Sequence, residues 1–328
     1  MSAADLDVLL EPADLTANLA KEVRSGLTVA PKQLPPKFFY DDRGSALFDE
    51  ITRLEEYYPT RTERQLLTAR ADDIARAADA EVLLELGSGS SEKTALLLDA
   101  MGRTGRLAAY VPVDVSAGAL RGALAQLAVD RPSLPVHAVV ADFEHHLEEL
   151  PRPGRRLVAF LGGTIGNFQP AERLAFLMSL AGALAPGESL LLGLDLVKEP
   201  SRLVAAYDDA AGVTAAFNRN VLHVLNRELG ADFDPDAFAH VAVWDDANEW
   251  IEMRLRAQRA MSVHVPSLDL DIRLEAGEEI RTEISAKFRR DGVSAELRRA
   301  GLGLREWWTD PAGDYALALA SPEAADLS

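Results

Sequence analysis

The chain contains no cysteine. Disulfides, zinc–thiolate sites and thiol nucleophiles are therefore excluded together. Basic residues are in deficit: 34 Lys and Arg face 52 Asp and Glu, for a formal net charge of −18. A nucleic-acid duplex or an anionic membrane surface would need a basic face strong enough to overcome that field. No run of Lys and Arg supplies one, so no nucleic-acid or membrane partner is expected. No apolar run approaches the roughly 20 residues that span a bilayer. The opening residues, MSAADLDVLLEPADL, lack the basic segment and long apolar core of a signal peptide, and a cytoplasmic location is expected. Among the six histidines only His145 and His146 are adjacent, and none makes H-x-x-x-H or another metal spacing. No metal is expected. No G-x-S-x-G nucleophile elbow occurs.

What is present reads as a folded globular protein. The 328 residues are 48% hydrophobic and 26% charged, enough for one large domain or two ordinary ones. The most informative stretch is EVLLELGSGSSEKT, residues 81–94. An apolar run meets Glu85, a turn carries Gly87 and Gly89, and a helical pattern follows. Strand, glycine turn and helix present backbone N–H groups and a helix N-terminus to a small ligand. The Rossmann G-x-G-x-x-G and the P-loop G-x-x-x-x-G-K-[ST] both require glycine at position 92, where this chain has Glu92. A carboxylate there repels phosphate. E-x-G-x-G without the third glycine resembles the first motif of class I S-adenosylmethionine (SAM) methyltransferases. The alternative is a tight turn of structural use only.

Apolar runs and helical patterns alternate around this loop. Helical spacing is expected over 62–80, and strands over 107–115, 136–141, 156–161 and 190–196. Such alternation implies right-handed βαβ units and a parallel sheet. It stops near Val197. A helical region (205–229) and antiparallel strands up to about residue 274 follow. Then come a helix and a closing hairpin, REWWTD–PAGD–YALALA, in which Trp307 and Trp308 are expected in the core. The α/β domain is expected to be interrupted by an inserted lobe, and the last residues, SPEAADLS, to be solvated.

Two further positions suit a nucleoside pocket, and a third is either a site of close ligand approach or a structural turn. Asp114 ends the second strand, where an acid can accept from both ribose hydroxyls; capping of the helix that follows is the alternative. Asp142 and Phe143 follow the third strand, suited to an adenine amino group and ring, or else to a helix cap and a core aromatic. Gly162, Gly163 and Gly166 follow the fourth strand with Asn167, where glycines admit close backbone approach to a ligand.

Several runs converge on one family. The stretches 34–63 (ending EYYPTRTE), ELGSGSSEKT, FLGGTIGNF, GLDLVK, 207–229 and KFRRDGV resemble the SAM-dependent L-histidine Nα-methyltransferases of ergothioneine biosynthesis. The resemblance covers nearly the whole chain in order. Gly163 and Ala286 stand where that family would have Ser and Cys. It implies a class I, Rossmann-like, mostly parallel seven-stranded sheet (61–196 and 288–322) and a second, α+β substrate-binding lobe (14–60 and 197–287). Tyr40, Gly87, Lys93, Asp114, Asp142 and Phe143 match SAM-contacting positions. Tyr57, Asn167 and Tyr207 match positions around the substrate's amino and carboxylate groups. Glu283 and Ser285 match positions that recognise imidazole, and Gly162 and Met253 match the pocket wall. The implied reaction is trimethylation of the α-amino group of L-histidine to hercynine, through mono- and dimethyl intermediates, by a monomer. The competing readings are N-methylation of another aromatic amino acid, such as a tryptophan derivative, and a non-methylating nucleotide-binding module.

Overall fold

The computed structural model describes residues 4–89 and 93–323. Glu92, on which the phosphate argument turned, lies outside the described residues, as does most of the expected solvated tail. In chain order the first elements are β1 (Ala4–Val8), α1 (Pro12–Leu27), β2 (Lys32–Gln33), α2 (Asp42–Ile51) and α3 (Tyr58–Ala78). The alternating stretch comprises β3 (Val82–Leu86), α4 (Thr94–Arg103), β4 (Ala109–Asp114), α5 (Ala117–Asp130), β5 (Val136–Val140), β6 (Arg156–Phe160), α6 (Pro170–Ala183) and β7 (Ser189–Asp195). There follow α7 (Pro200–Tyr207), α8 (Val213–Leu229), β8 (Phe238–Asp245), β9 (Trp250–Ala257), β10 (Met261–Val265), β11 (Leu270–Leu274) and β12 (Glu279–Ala286). The chain closes with α9 (Arg290–Arg299), β13 (Leu302–Thr309) and β14 (Tyr315–Pro322).

These elements form two compact units. The first takes residues 1–10, 59–197 and 287–328, and the second takes 11–58 and 198–286. The first unit holds an eight-stranded sheet in the order β1-β5-β4-β3-β6-β7-β14-β13. Pairing is parallel from β1 to β7 and antiparallel through β14 and β13. This is the Rossmann-like class I architecture, with one strand more than the seven expected. The extra strand is β1, whose acidic alternation (ADLDV) gives little sign of burial; its parallel register with β5 is a tertiary pairing. Every residue of β3, β6 and β7 is buried, as in strands covered on both faces. The strand order reverses between β3 and β6, so the ligand crevice of an open α/β sheet falls at the carboxyl ends of those two strands.

Local chemistry sets the helix starts that matter to the site. Ser116 caps α5, its Oγ accepting from the Ala119 N–H at 3.2 Å. Gln169 and Glu172 make a reciprocal capping box at α6, with proline in the first turn. One helical region expected over 205–229 is in fact two helices. Asp208 leaves the helical conformation at the end of α7, and the Asp209 carboxylate accepts from the N–H groups of Val213 (3.0 Å) and Thr214 (2.7 Å) at the start of α8. Trp307 and Trp308 are half-buried rather than core. Their strand, β13, is the sheet edge and has a register shift between Leu304 and Glu306.

The second unit is built on a four-stranded sheet, β2-β12-β9-β8, antiparallel except for β2 with β12. A separate hairpin pairs β10 with β11. Its core takes Phe217, Val221, Leu222 and Leu225 from α8 and Ile251, Met253, Leu255 and Ala257 from β9. Those four β9 residues alternate with Glu252, Arg254 and Arg256, whose charges pair across the other face with Glu279 and Arg281. Period-two alternation thus separates an apolar face from a charged one. No helix among the described residues is long and apolar enough to cross a membrane.

Candidate active site

The first unit holds Gly87, Lys93, Asp114, Asp142, Phe143, Gly162 and Asn167; the second holds Tyr40, Tyr57, Tyr207, Met253, Glu283 and Ser285. In the first unit the turn after β3 is tied to the end of β4. Asp114 Oδ2 accepts from the Gly89 N–H at 2.9 Å, and Oδ1 from the Ser116 N–H at 2.9 Å. Ser116 is itself the cap of α5, so Asp114 serves the start of that helix only through the Ser116 N–H. Burial raises the Asp114 pKa, and the N–H groups of Ser116, Gly89 and Val115 oppose that rise. A carboxylate offers about four acceptor sites, more than the loop uses, so it has capacity for a ribose.

Gly87 (φ 69°) turns back over this end of the sheet, and a Cβ built on it would lie 3.8 Å from Phe143 Cε1. The Phe143 ring is fixed edge-on against Phe160 at 5.3 Å and tilted against Phe176 at 5.7 Å. Asp142 is buried and starts no helix; its Oδ1 accepts from the Glu144 N–H at 3.0 Å, tightening a turn. After β6, Gly162 adopts φ 78°, a left-handed conformation that side chains disfavour, and a Cβ there would lie 3.6 Å from Lys93 Nζ. Asn167 ends the short helical turn Thr164–Asn167 in the same connection. The loops after β3, β4, β5 and β6 thereby offer a glycine-lined cradle with the half-buried Asp114 on one side and the buried Asp142 on the other. This suits a nucleoside carrying no phosphate.

Glu85 lies beneath that cradle. It is buried and accepts from Thr94 Oγ1 and Tyr110 OH, each at 2.5 Å. Burial pushes its pKa up to about 7, against the pull of those two hydroxyls and of Lys93. The unfolded chain titrates this group near the ordinary glutamate value, so between about pH 4.5 and about 7 the folded protein binds the extra proton. This contribution is fully present at acid pH and is lost as pH rises through the folded value. From about pH 5 to about pH 7 the loss amounts to about 2 kcal/mol. Glu85→Gln should flatten the pH dependence of stability by that amount in urea titrations without SAM. The same slope in both proteins would refute the assignment.

In the second unit, Tyr207 OH donates to Ser285 Oγ at 2.7 Å, and both residues are buried. The Tyr57 ring meets Tyr207 edge-on at 6.2 Å. Tyr40 follows the short turn Pro36–Phe39 and packs edge-on against Phe48 at 5.6 Å and Phe217 at 5.5 Å. Phe48 in turn meets Tyr57 at 6.2 Å. On the sheet, Glu283 is the cross-strand partner of Met253, and Ser285 that of Ile251. Directly opposed residues share a face, so Glu283 and Ser285 stand on the apolar face with Met253.

A family profile described as histidine-specific methyltransferase, SAM-dependent, matches residues 19–322. The chain is 60% identical over 302 residues to a histidine N-alpha-methyltransferase of Mycolicibacterium smegmatis, covering 92% of this chain and 94% of that one. It is 56% identical over 303 residues to the protein of that name in Mycobacterium tuberculosis, with the same coverage. The chain belongs to the histidine-specific, SAM-dependent methyltransferases. It is also 30% identical over 290 residues to the ergothioneine biosynthesis protein 1 of Neurospora crassa, covering 85% of this chain and 32% of that longer protein.

One residue of this methyltransferase was not singled out from its sequence. Glu63 of α3 is fully buried. It pairs with Lys93 Nζ and accepts from the Gly162 N–H at 2.7 Å and from Tyr315 OH at 2.8 Å. One carboxylate thus joins the start of α4, the loop after β6 and the first residue of β14. Its signal was its place on the buried stripe of α3, one turn before Leu66 and Leu67. Gly193 of β7 is required beside it, because an added Cβ would lie 2.2 Å from Glu63 Oε1 and 2.8 Å from Tyr315 OH. Gly193→Ala is therefore expected to destabilise the protein by about 1–3 kcal/mol and to weaken SAM about tenfold. Thermal unfolding and calorimetry with SAM measure both; wild-type values would contradict the role given to Glu63.

Proposed function

We propose that the protein transfers three methyl groups in succession from SAM to the α-amino nitrogen of L-histidine, giving hercynine as the first step of ergothioneine biosynthesis. The observation that carries this reading is the grouping of Glu283 and Ser285 on one sheet face, with the Tyr207 hydroxyl on Ser285, in a chain 60% identical to a histidine N-alpha-methyltransferase. The segments 61–196 and 288–322 supply most of the donor's residues, and 14–60 with 197–287 most of the acceptor's. Gly87, Lys93, Asp114, Asp142, Phe143 and Tyr40 hold SAM: Asp114 takes the ribose hydroxyls, and Asp142 the adenine amino group beside Phe143.

When bound, SAM supplies a methyl group already activated on a sulfonium. The protein's own task is to present a neutral amine at near-attack distance. A free α-amino group is largely protonated near neutral pH, so each transfer requires that the ammonium first give up a proton. In the first two transfers Asn167 Oδ1 accepts from a remaining N–H and aims the lone pair, and in each transfer the ammonium proton passes to water, directly or by a relay in which the Tyr57 oxygen takes it as the Tyr57 hydroxyl proton leaves to water. Tyr207 steadies the substrate, and Gly162 leaves room for it. The final product is a fixed cation, for which the aromatic faces of Tyr40 and Tyr57 are suitable neighbours.

Glu283 accepts from an imidazole N–H and Ser285 serves the other ring nitrogen. An indole lacks that second nitrogen and would need an apolar, roomier wall where Glu283 and Met253 stand. Incubating the protein with SAM and a panel of amino acids, followed by mass spectrometry, tests the reading. Trimethylation confined to histidine is expected; a mass shift on tryptophan or tyrosine in preference to histidine would overturn it.

A further inference from the structure

Strand β12 does not run regularly past its partner. Arg281 faces Arg254 and Glu283 faces Met253, so Thr282 is an extra residue with no partner of its own in the ladder. This is a β-bulge, and its consequence is a change of face. Ile280 lies on the apolar side opposite Leu255, and Arg281 on the charged side opposite Arg254. Regular alternation would next put Thr282 inside and Glu283 outside, among Glu279, Arg281 and the arginines of β9. Ser285 would follow it outward. The extra residue turns both back to the face of Met253.

The bulge is held by a buried polar network. Thr282 is fully buried, and its hydroxyl donates to Asn218 Oδ1 at 2.6 Å, sharing that one proton with the Met253 carbonyl at 3.0 Å. Asn218 of α8 is also fully buried, and its Nδ2 donates to the Arg254 carbonyl at 3.1 Å and to His240 Nδ1 at 2.8 Å. Because Nδ1 accepts, the ring carries its proton on Nε2, which donates to the Tyr207 carbonyl at 2.8 Å. Asn218 lies one turn before Val221 and Leu222 on the apolar stripe of α8. A polar residue there leaves no slack: its amide has a partner at each end, and it joins β9, β12 and, through His240, the end of α7.

We infer that Thr282, Asn218 and His240 are positioning residues for substrate selection, locking the bulge that turns Glu283 and Ser285 to the substrate-facing side and fixing Tyr207 beside them. The inference rests on the reading of Glu283 as the imidazole acceptor. Thr282 acts through Glu283, so its effect must depend on that carboxylate being present.

The test is a double-mutant cycle of Thr282→Val and Glu283→Gln, with Thr282→Ser as the conservative control. Histidine KM, kcat and SAM affinity are read for each variant. Thr282→Val keeps the shape and removes the hydroxyl; it should raise histidine KM about tenfold, with kcat within about twofold and SAM affinity unchanged. Thr282→Ser, which keeps the hydroxyl, should stay within about threefold of wild type. In the Glu283→Gln background, Thr282→Val should add less than about twofold. An equal increase in both backgrounds would show a general structural effect and overturn the inference. So would a wild-type KM in Thr282→Val alongside a raised KM in Glu283→Gln, which leaves the imidazole reading standing. A wild-type KM in Glu283→Gln would overturn that reading and this inference together. If Thr282→Val fails to bind SAM, Asn218→Ser takes its place in the cycle under the same criteria.

Discussion

Replacing Glu283 by alanine is expected to raise the histidine KM about 100-fold and to leave SAM affinity within about twofold. The side chain shares the apolar face of the second unit's sheet with Met253 and Ser285. A carboxylate on such a face makes a charge-assisted bond to an N–H, and such bonds contribute about 1.5–3 kcal/mol. Loss of about 2.7 kcal/mol is a factor of about 100. The N–H of the substrate is then buried without a partner, which accounts for the upper part of that range. The donor is insulated because its expected residues other than Tyr40, at and after β3, β4 and β5, belong to the other unit. Initial rates over a histidine series, with calorimetry for SAM, make the measurement. Unchanged histidine kinetics would remove the imidazole assignment.

Asp114→Ala should do the converse. SAM affinity is expected to fall by about 100-fold or more, because two ribose hydroxyls lose charged acceptors at about 1.5–3 kcal/mol each, with incomplete additivity. The same carboxylate also holds Gly89 and Ser116, so its removal loosens the glycine turn as well. Asp114→Asn separates the two effects. It keeps one acceptor oxygen but turns an NH₂ toward one of the two backbone donors, and should recover only part of the affinity. Unaltered SAM binding by calorimetry in the alanine variant would mean that the ribose is held elsewhere.

The alternation of apolar runs with helical patterns made the α/β sheet legible, because parallel strands buried on both faces are near-continuous in Leu and Val. That Gly89 and Asp114 meet was legible for another reason: strand, turn and strand end lie within one βα unit of each other. Residues whose meaning depends on distant partners were not. Glu63 reads as one carboxylate among many until Gly162, Lys93 and Tyr315 are seen around it. Glu283 was named only through a family resemblance, since a one-residue bulge decides its face and alternation alone would have sent it outward. The strand Ala4–Val8 was not expected, because its pairing with Val136–Val140 joins segments more than a hundred residues apart.

The central claim is that the acceptor is the α-nitrogen of histidine and that it is methylated three times. Tandem mass spectrometry of the product, with S-adenosylhomocysteine quantified in the same reaction, tests it most directly. The expected result is a trimethylammonium at the α-carbon and three equivalents of S-adenosylhomocysteine for each histidine consumed to completion. Methyl groups on an imidazole nitrogen, or a product that stops at one methyl with excess SAM, would contradict it.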